Sequence, residues 1–161
     1  GLDFHPNRRH NAIDQSACFE AQLQLAQSLQ RPIVLHNLKA DAACLASIRR
    51  CGFKQGGFAH AFSGSLESAQ AWLKLGFKIG IGSVLFKQNA QKIRRLATHL
   101  AWGDMVLETD APFMPPTPDH PNQPCNTRRI AEIVAALRQS DWQTVAQHTT
   151  CNALMVVGRA A

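Results

Sequence analysis

No stretch of this chain approaches the ~20 consecutive apolar residues that a membrane-spanning helix needs, although 45% of its 161 residues are hydrophobic. Apolar residues broken up by charge in this way make the composition of a soluble globular protein, and no signal-peptide pattern is present. The five cysteines (Cys18, Cys44, Cys51, Cys125, Cys151) include no Cys-x-x-Cys pair. Their odd number and spacing point away from a disulfide framework and a thiolate zinc site, and toward a reducing, cytoplasmic setting. Also missing are a Gly-x-Ser-x-Gly nucleophile elbow and the spacing of a dinucleotide fingerprint, so neither serine hydrolysis nor Rossmann-type cofactor binding is indicated. There is no internal repeat, low-complexity tract or interdomain linker. Acidic residues are the scarcer charge, 11 against 17 Lys and Arg, for a net +6. A positive balance favours an anionic substrate such as nucleic acid. The pairs Arg8-Arg9, Arg49-Arg50, Arg94-Arg95 and Arg128-Arg129 read equally well as solvated helix faces.

What is present is an alternation of short apolar runs with helical periodicity. Apolar spacing through Ala17, Ala21, Leu25 and Leu29 predicts a helix with Asp14 as its N-cap, ending near Arg31-Pro32. A buried strand from Pro32 to His36 follows, then a helix over Ala40 to Arg50 closed by Gly52. Further strands are predicted at Gly57 to Phe62, Phe77 to Gly82 and Asp104 to Thr109. The helices between them are predicted at Leu66 to Leu75 and Asn89 to Leu100. Six prolines from Pro112 to Pro124 make a stiff loop, and two helices, about Thr127 to Gln139 and Asp141 to Val157, close the chain. Strand and helix alternate about four times, the pattern of right-handed βαβ units around a parallel sheet. The expected fold class is therefore α/β.

Three of the apolar runs end on metal-ligating residues. Pro32-Ile33-Val34-Leu35 stops at His36, Gly56-Gly57-Phe58-Ala59 at His60, and Val106-Leu107 at Glu108-Thr109-Asp110-Ala111-Pro112. The carboxyl ends of parallel strands are where ligands and metals gather, so His36, His60 and Asp110 are candidates for one shared site. Imidazole suits zinc and other transition ions and carboxylate suits nearly any divalent ion, so a His, His, Asp set fits a hydrolytic centre better than a structural one. Such an ion lowers the pKa of bound water to ~7 and polarises a phosphoryl or carbonyl oxygen, and a nearby carboxylate accepts the proton. Each residue alone has a plainer reading. His36 is then a satisfied buried histidine, His60 part of a strand-to-helix turn, and Asp110 a turn cap before Pro112. Their common placement favours ligation. Ser63 and Ser65 are read as turn and N-cap, Gly80 and Gly82 as close packing in the sheet. His5, His10, His99, His120 and His148 are read as surface residues.

Taken in order, Gly1-Leu2-Asp3, Val34-Leu35-His36, His60-Ala61-Phe62-Ser63-Gly64-Ser65, Ile79-Gly80-Ile81-Gly82 and Glu108-Thr109-Asp110-Ala111-Pro112 resemble the TatD family of metal-dependent deoxyribonucleases. Asn122-Gln123-Pro124 resembles that family's Asn-x-Pro loop and Thr150-Cys151-Asn152-Ala153 its closing helix, so the resemblance covers essentially all 161 residues. It implies a TIM-barrel hydrolase with one or two divalent ions (Mg, Mn or Zn) at the strand ends. His36 and His60 would be metal ligands, Asp110 a ligand and general base on metal-bound water, and Glu108 an orienting residue behind them. The implied reaction is phosphodiester hydrolysis in DNA, from a 3′ end.

Members of that family open with a His-x-His pair on the first strand and carry a bridging Glu two residues before the position of Gly1. This chain has neither. The expectation is a single domain over 1–161, roughly the second half of a barrel that typically needs ~250 residues, with Gly1-Leu2-Asp3-Phe4 as the end of a strand. Two open sheet edges would invite self-association. Two other readings stand beside the nuclease: an amide or ester (including lactone) metallohydrolase of the same fold, and a catalytically impaired fragment acting as a DNA-binding scaffold.

Overall fold

Five parallel strands alternate with helices over residues 1–158, the part of the chain that the computed structural model describes. The order is β1 (Leu2–Asp3), α1 (Ala12–Ser28), β2 (Ile33–Leu38), α2 (Asp41–Arg50), β3 (Gly57–His60), α3 (Leu66–Leu73), β4 (Phe77–Ile81), α4 (Gln91–His99), β5 (Met105–Leu107), α5 (Thr127–Arg138) and α6 (Trp142–Val157). Neighbours in sequence are neighbours in the sheet, β1-β2-β3-β4-β5, and all four pairings are parallel. Sequential parallel strands with a helix at every crossover give an arc of a barrel rather than a sheet that reverses at a switch point.

Most expected elements occur within a few residues of their predicted ends, because glycine and proline punctuate them. Gly52 (φ +60°) and Gly76 (φ +81°) take left-handed backbone where α2 and α3 must turn toward the next strand. The Ser65 hydroxyl caps α3 by accepting from the Ser68 amide at 3.1 Å, and the Asp141 carboxylate caps α6 by accepting from the Thr144 amide at 2.7 Å.

Three expectations are corrected at the start of the chain. β2 does not stop at His36 but runs on to Leu38, because Leu2 and Asp3 of β1 pair with Asn37 and Leu38 and extend the ladder. The first helix begins at Ala12, directly after a 3-10 turn at Arg9–Asn11, so Asp14 lies inside its first turn rather than at its cap. Gln15 ties that helix to β1, accepting from the Asp3 amide at 2.7 Å and donating to the Asp3 carbonyl at 3.0 Å. The buried stripe of α1 is also not the expected one. Phe19 and Leu23 point into the core, whereas Leu25 and Leu29 are 59% and 60% exposed. Both sides of α1 carry apolar residues, so periodicity in the sequence does not select between them; contact with β1 and α2 does.

The register gives the sheet two distinct faces, since side chains alternate along each strand. Leu35, Ala59, Ile79, Ile81 and Met105 lie on one face and form a single buried core with Trp72, Ile48, Leu96, Ile130 and Val134 of the helices. Burying one such side chain contributes about 1.5–3 kcal/mol. The other face carries Val34, His36, Phe58, His60, Lys78 and Gly80. Val34 is 71% exposed there, so nothing among the described residues covers β2 on that side.

Candidate active site

At the carboxyl end of β3, His60 stands between two carboxylates from the segment that follows β5. Its Nδ1 is 2.7 Å from Glu108 Oε2 and its Nε2 is 2.9 Å from Asp110 Oδ1. The chain places these groups by turning sharply at both strand ends. Ala61 takes φ +47° and Asp110 φ +63°, left-handed conformations that cost a non-glycine residue roughly 1–2 kcal/mol. Such strain is retained where surrounding bonds over-determine it. The Ala61 amide donates to Glu108 Oε1 at 2.6 Å, so the turn that bends the chain after β3 also holds Glu108.

Glu108 has room because β4 carries glycine beneath it. A Cβ added to Gly80 would lie 2.7 Å from the Glu108 carboxylate, and one on Gly82 would lie 3.2 Å from its Cγ. The glycines expected to serve close packing in the sheet therefore make space for an acidic side chain. Asp110 is fixed from behind. Buried Asn122 donates to the carbonyls of Thr109 and Phe113, Ser83 Oγ donates to the Thr109 carbonyl at 2.6 Å, and Asn126 donates to Asn122 Oδ1 at 2.9 Å. The Asn122-Gln123-Pro124 motif is thus a clamp on the backbone either side of Asp110. Asn152 does similar work for β5, donating to the carbonyls of Trp102 and Met105 at 2.7 and 2.8 Å. Neither Ser83 nor the backbone role of Asn122 follows from spacing alone; the signal available was a polar residue directly after the Gly80-x-Gly82 run.

His36 is placed differently. It is the register partner of His60 and projects to the same face, but its side chain is 54% exposed and its Nε2 lies 3.8 Å from Asp3 Oδ2. The His5 amide bonded to Asp3 holds that carboxyl below its ordinary range, with Arg8 and His36 adding to the effect. The structure thus brings His60, Glu108 and Asp110 together, with His36 beside Asp3 on the adjoining strand. Among the described residues, no three His, Cys, Asp or Glu side chains converge as a closed set of metal ligands.

The electrostatics of the inner group call for positive charge. The bond to Glu108, with Coulombic help from Glu108 and Asp110, raises the pKa of His60 to about 9 against the opposing effect of burial. If neutral His60 gives its one N–H to Glu108, Nε2 and Asp110 Oδ1 are two acceptors facing each other at 2.9 Å. Only a proton or a cation resolves that pairing. A carboxylate on one imidazole nitrogen, leaving the other for an ion, is also the usual arrangement behind a metal-ligating histidine. Beside Glu108, Asp110 and Ser83 lies a cavity of about 10 Å³, the size of one water or ion. His60 Nε2 and Asp110 Oδ1 are thus the two donors here that a divalent ion could take.

The family profile described as TatD related DNase matches residues 1–158. A protein of Edwardsiella piscicida named 3′-5′ ssDNA/RNA exonuclease TatD is 37% identical over 95% of this chain. A Bacillus subtilis protein named uncharacterized metal-dependent hydrolase YabD is 31% identical, also over 95%. The crystal structure of the TatD homologue YjjV from Escherichia coli superposes with a TM-score of 0.90 at 29% identity and covers 98% of this chain. The chain spans 62%, 61% and 61% of the length of these three proteins.

Proposed function

The chain belongs to the TatD related DNase family and has its TIM-barrel type of α/β fold, and from that premise we propose that it carries the hydrolytic centre of a divalent-metal-dependent phosphodiesterase acting on DNA from a 3′ end. The observation that carries the reading is His60 held between Glu108 and Asp110 at the strand ends. His60 and Asp110 would hold the ion, with His36 on the neighbouring strand as a further ligand. The ion, when bound, supplies Lewis-acid activation of water and of a phosphoryl oxygen. Asp110 accepts the proton of the attacking water. Glu108 fixes the ring orientation of His60 and keeps its Nε2 turned to Asp110, beside which the ion would be held. Residues 1–161 are read as one domain forming part of a barrel. The outer edges of β1 and β5 are unpaired among the described residues and are the surfaces through which copies would associate.

The test has two steps. Elemental analysis after incubation with zinc, manganese or magnesium should find near-stoichiometric metal that His60→Ala loses. Hydrolysis of single-stranded DNA should then depend on that metal and fall at least a hundredfold in Asp110→Asn. Full activity in Asp110→Asn rejects the assignment. Turnover of small amides or esters in preference to DNA would move the substrate to the second hydrolase reading. Salt-sensitive DNA binding indifferent to chelator, without hydrolysis, would identify a binding scaffold.

A further inference from the structure

Next to the His60–Asp110 pair the surface opens into a cleft of about 370 Å³ between the turn after β3 and the start of α4. It shares the walls Phe62, Val84 and Ile93 with the small cavity beside Asp110. Those walls are apolar, and Phe62 and Ile93 are each 4% exposed. The rim is polar and exposed, made by Asn89, Gln91 and Lys92. Lys92 is the one charged residue lining the cleft, and no carboxylate lies within 4.0 Å of its ammonium among the described residues.

An apolar slot with a single cation at its mouth, opening from a carboxylate centre, suits a flat heteroaromatic group joined to an anion. Bases bind such slots through their faces, without sequence preference, and a lysine at the rim meets the backbone phosphate. We infer that this cleft is the subsite for the nucleotide adjoining the scissile phosphodiester, with its base against Phe62, Val84 and Ile93 and its next phosphate at Lys92. The inference rests on the nuclease reading, and names the positioning residues of that same site.

The experiment uses a fluorescein-labelled oligothymidylate with phosphorothioate linkages, titrated in chelator so that binding is read without hydrolysis, alongside hydrolysis of bis(p-nitrophenyl) phosphate with metal. Lys92→Ala should weaken oligonucleotide binding about fivefold at low salt and reduce the salt slope by about one unit. Lys92→Arg should restore both, and the loss in Lys92→Ala should be larger on the oligonucleotide than on the small diester, which has no second phosphate for Lys92 to meet. Val84→Trp, which fills the cleft, should weaken binding about tenfold with an unchanged salt slope. An unchanged affinity and salt slope in Lys92→Ala overturns the inference, as does an equal loss on the small diester or an absence of DNA binding by the wild type. Binding through Lys92 by a protein that hydrolyses neither substrate would sink the nuclease reading, and with it the subsite, and leave the cleft as a nucleotide-binding site only.

Discussion

The β3–β5 side of the sheet and the β1–β2 flank share one parallel ladder, yet they hold their polar groups in opposite ways. On the first side His60 is bonded to both Glu108 and Asp110, with Ala61 bonded to Glu108 and Ser83 and Asn122 bonded to the Thr109 carbonyl between them. On the flank His36 is more than half exposed with Asp3 at 3.8 Å, and Val34 stands open beside it. The difference shows that a residue at the right place on a strand becomes a preorganised donor only where the next strand and its loop supply partners for it. For His60 those partners, Glu108 and Asp110, come from the segment after β5, and Gly80 of β4 leaves the room for one of them.

The sharpest contrast lies within β2, where adjacent residues face opposite ways. Leu35, 1% exposed on the helix-covered face, should cost about 3 kcal/mol when changed to Ala, read from urea unfolding midpoints. A loss under ~1 kcal/mol would mean that this face is not the core. Next in size is Asn122→Ala, which takes the side-chain donor from the Phe113 carbonyl, leaves the Thr109 carbonyl to Ser83 alone and should cost about 2 kcal/mol. Unchanged stability there would remove the clamp from the account of Asp110. Gly80→Ala should cost about 1 kcal/mol by forcing the Glu108 carboxylate off the Ala61 amide, and the amide proton of Ala61 should shift upfield in the NMR spectrum.

The inner group also predicts a pH dependence of definite sign. His60 is raised from 6.5 to about 9 in the folded, metal-free protein, so its charged form stabilises the fold. That contribution is complete below pH 6.5 and is lost as pH rises through about 9. Glu108→Gln should bring the His60 titration, followed by NMR, back toward 6.5 and flatten the fall in stability over that window. A His60 that titrates near 6.5 in the wild type would contradict the geometry. The smallest effect expected is that of Val34→Ala, within about 0.5 kcal/mol because its side chain is mostly in solvent. A larger loss would show that something packs on that face in solution.

Much of this was legible from residues alone. Gly52, Gly76, Ser65 and Asp141 act locally, and each ended or began an element where its chemistry says it should. The reading failed where two local answers were equally good. α1 has an apolar stripe on either side, and β2 gained two residues from pairing with β1, which no property of Asn37-Leu38 announces. Gly80 was read as packing because a glycine does not say what fills the space above it.

The alternation of apolar runs, helical periods and breakers was enough to specify parallel strands and to put His60 and Asp110 near strand ends, because these are properties of neighbours along the chain; the barrel order came only with the family resemblance. The bonds from His60 to residues 48 and 50 positions away, and the choice of which α1 stripe is buried, were decided by folding. Those depend on distances between segments that periodicity does not encode. They are set when β3, β4 and β5 come into register and Glu108 enters the space that Gly80 leaves open.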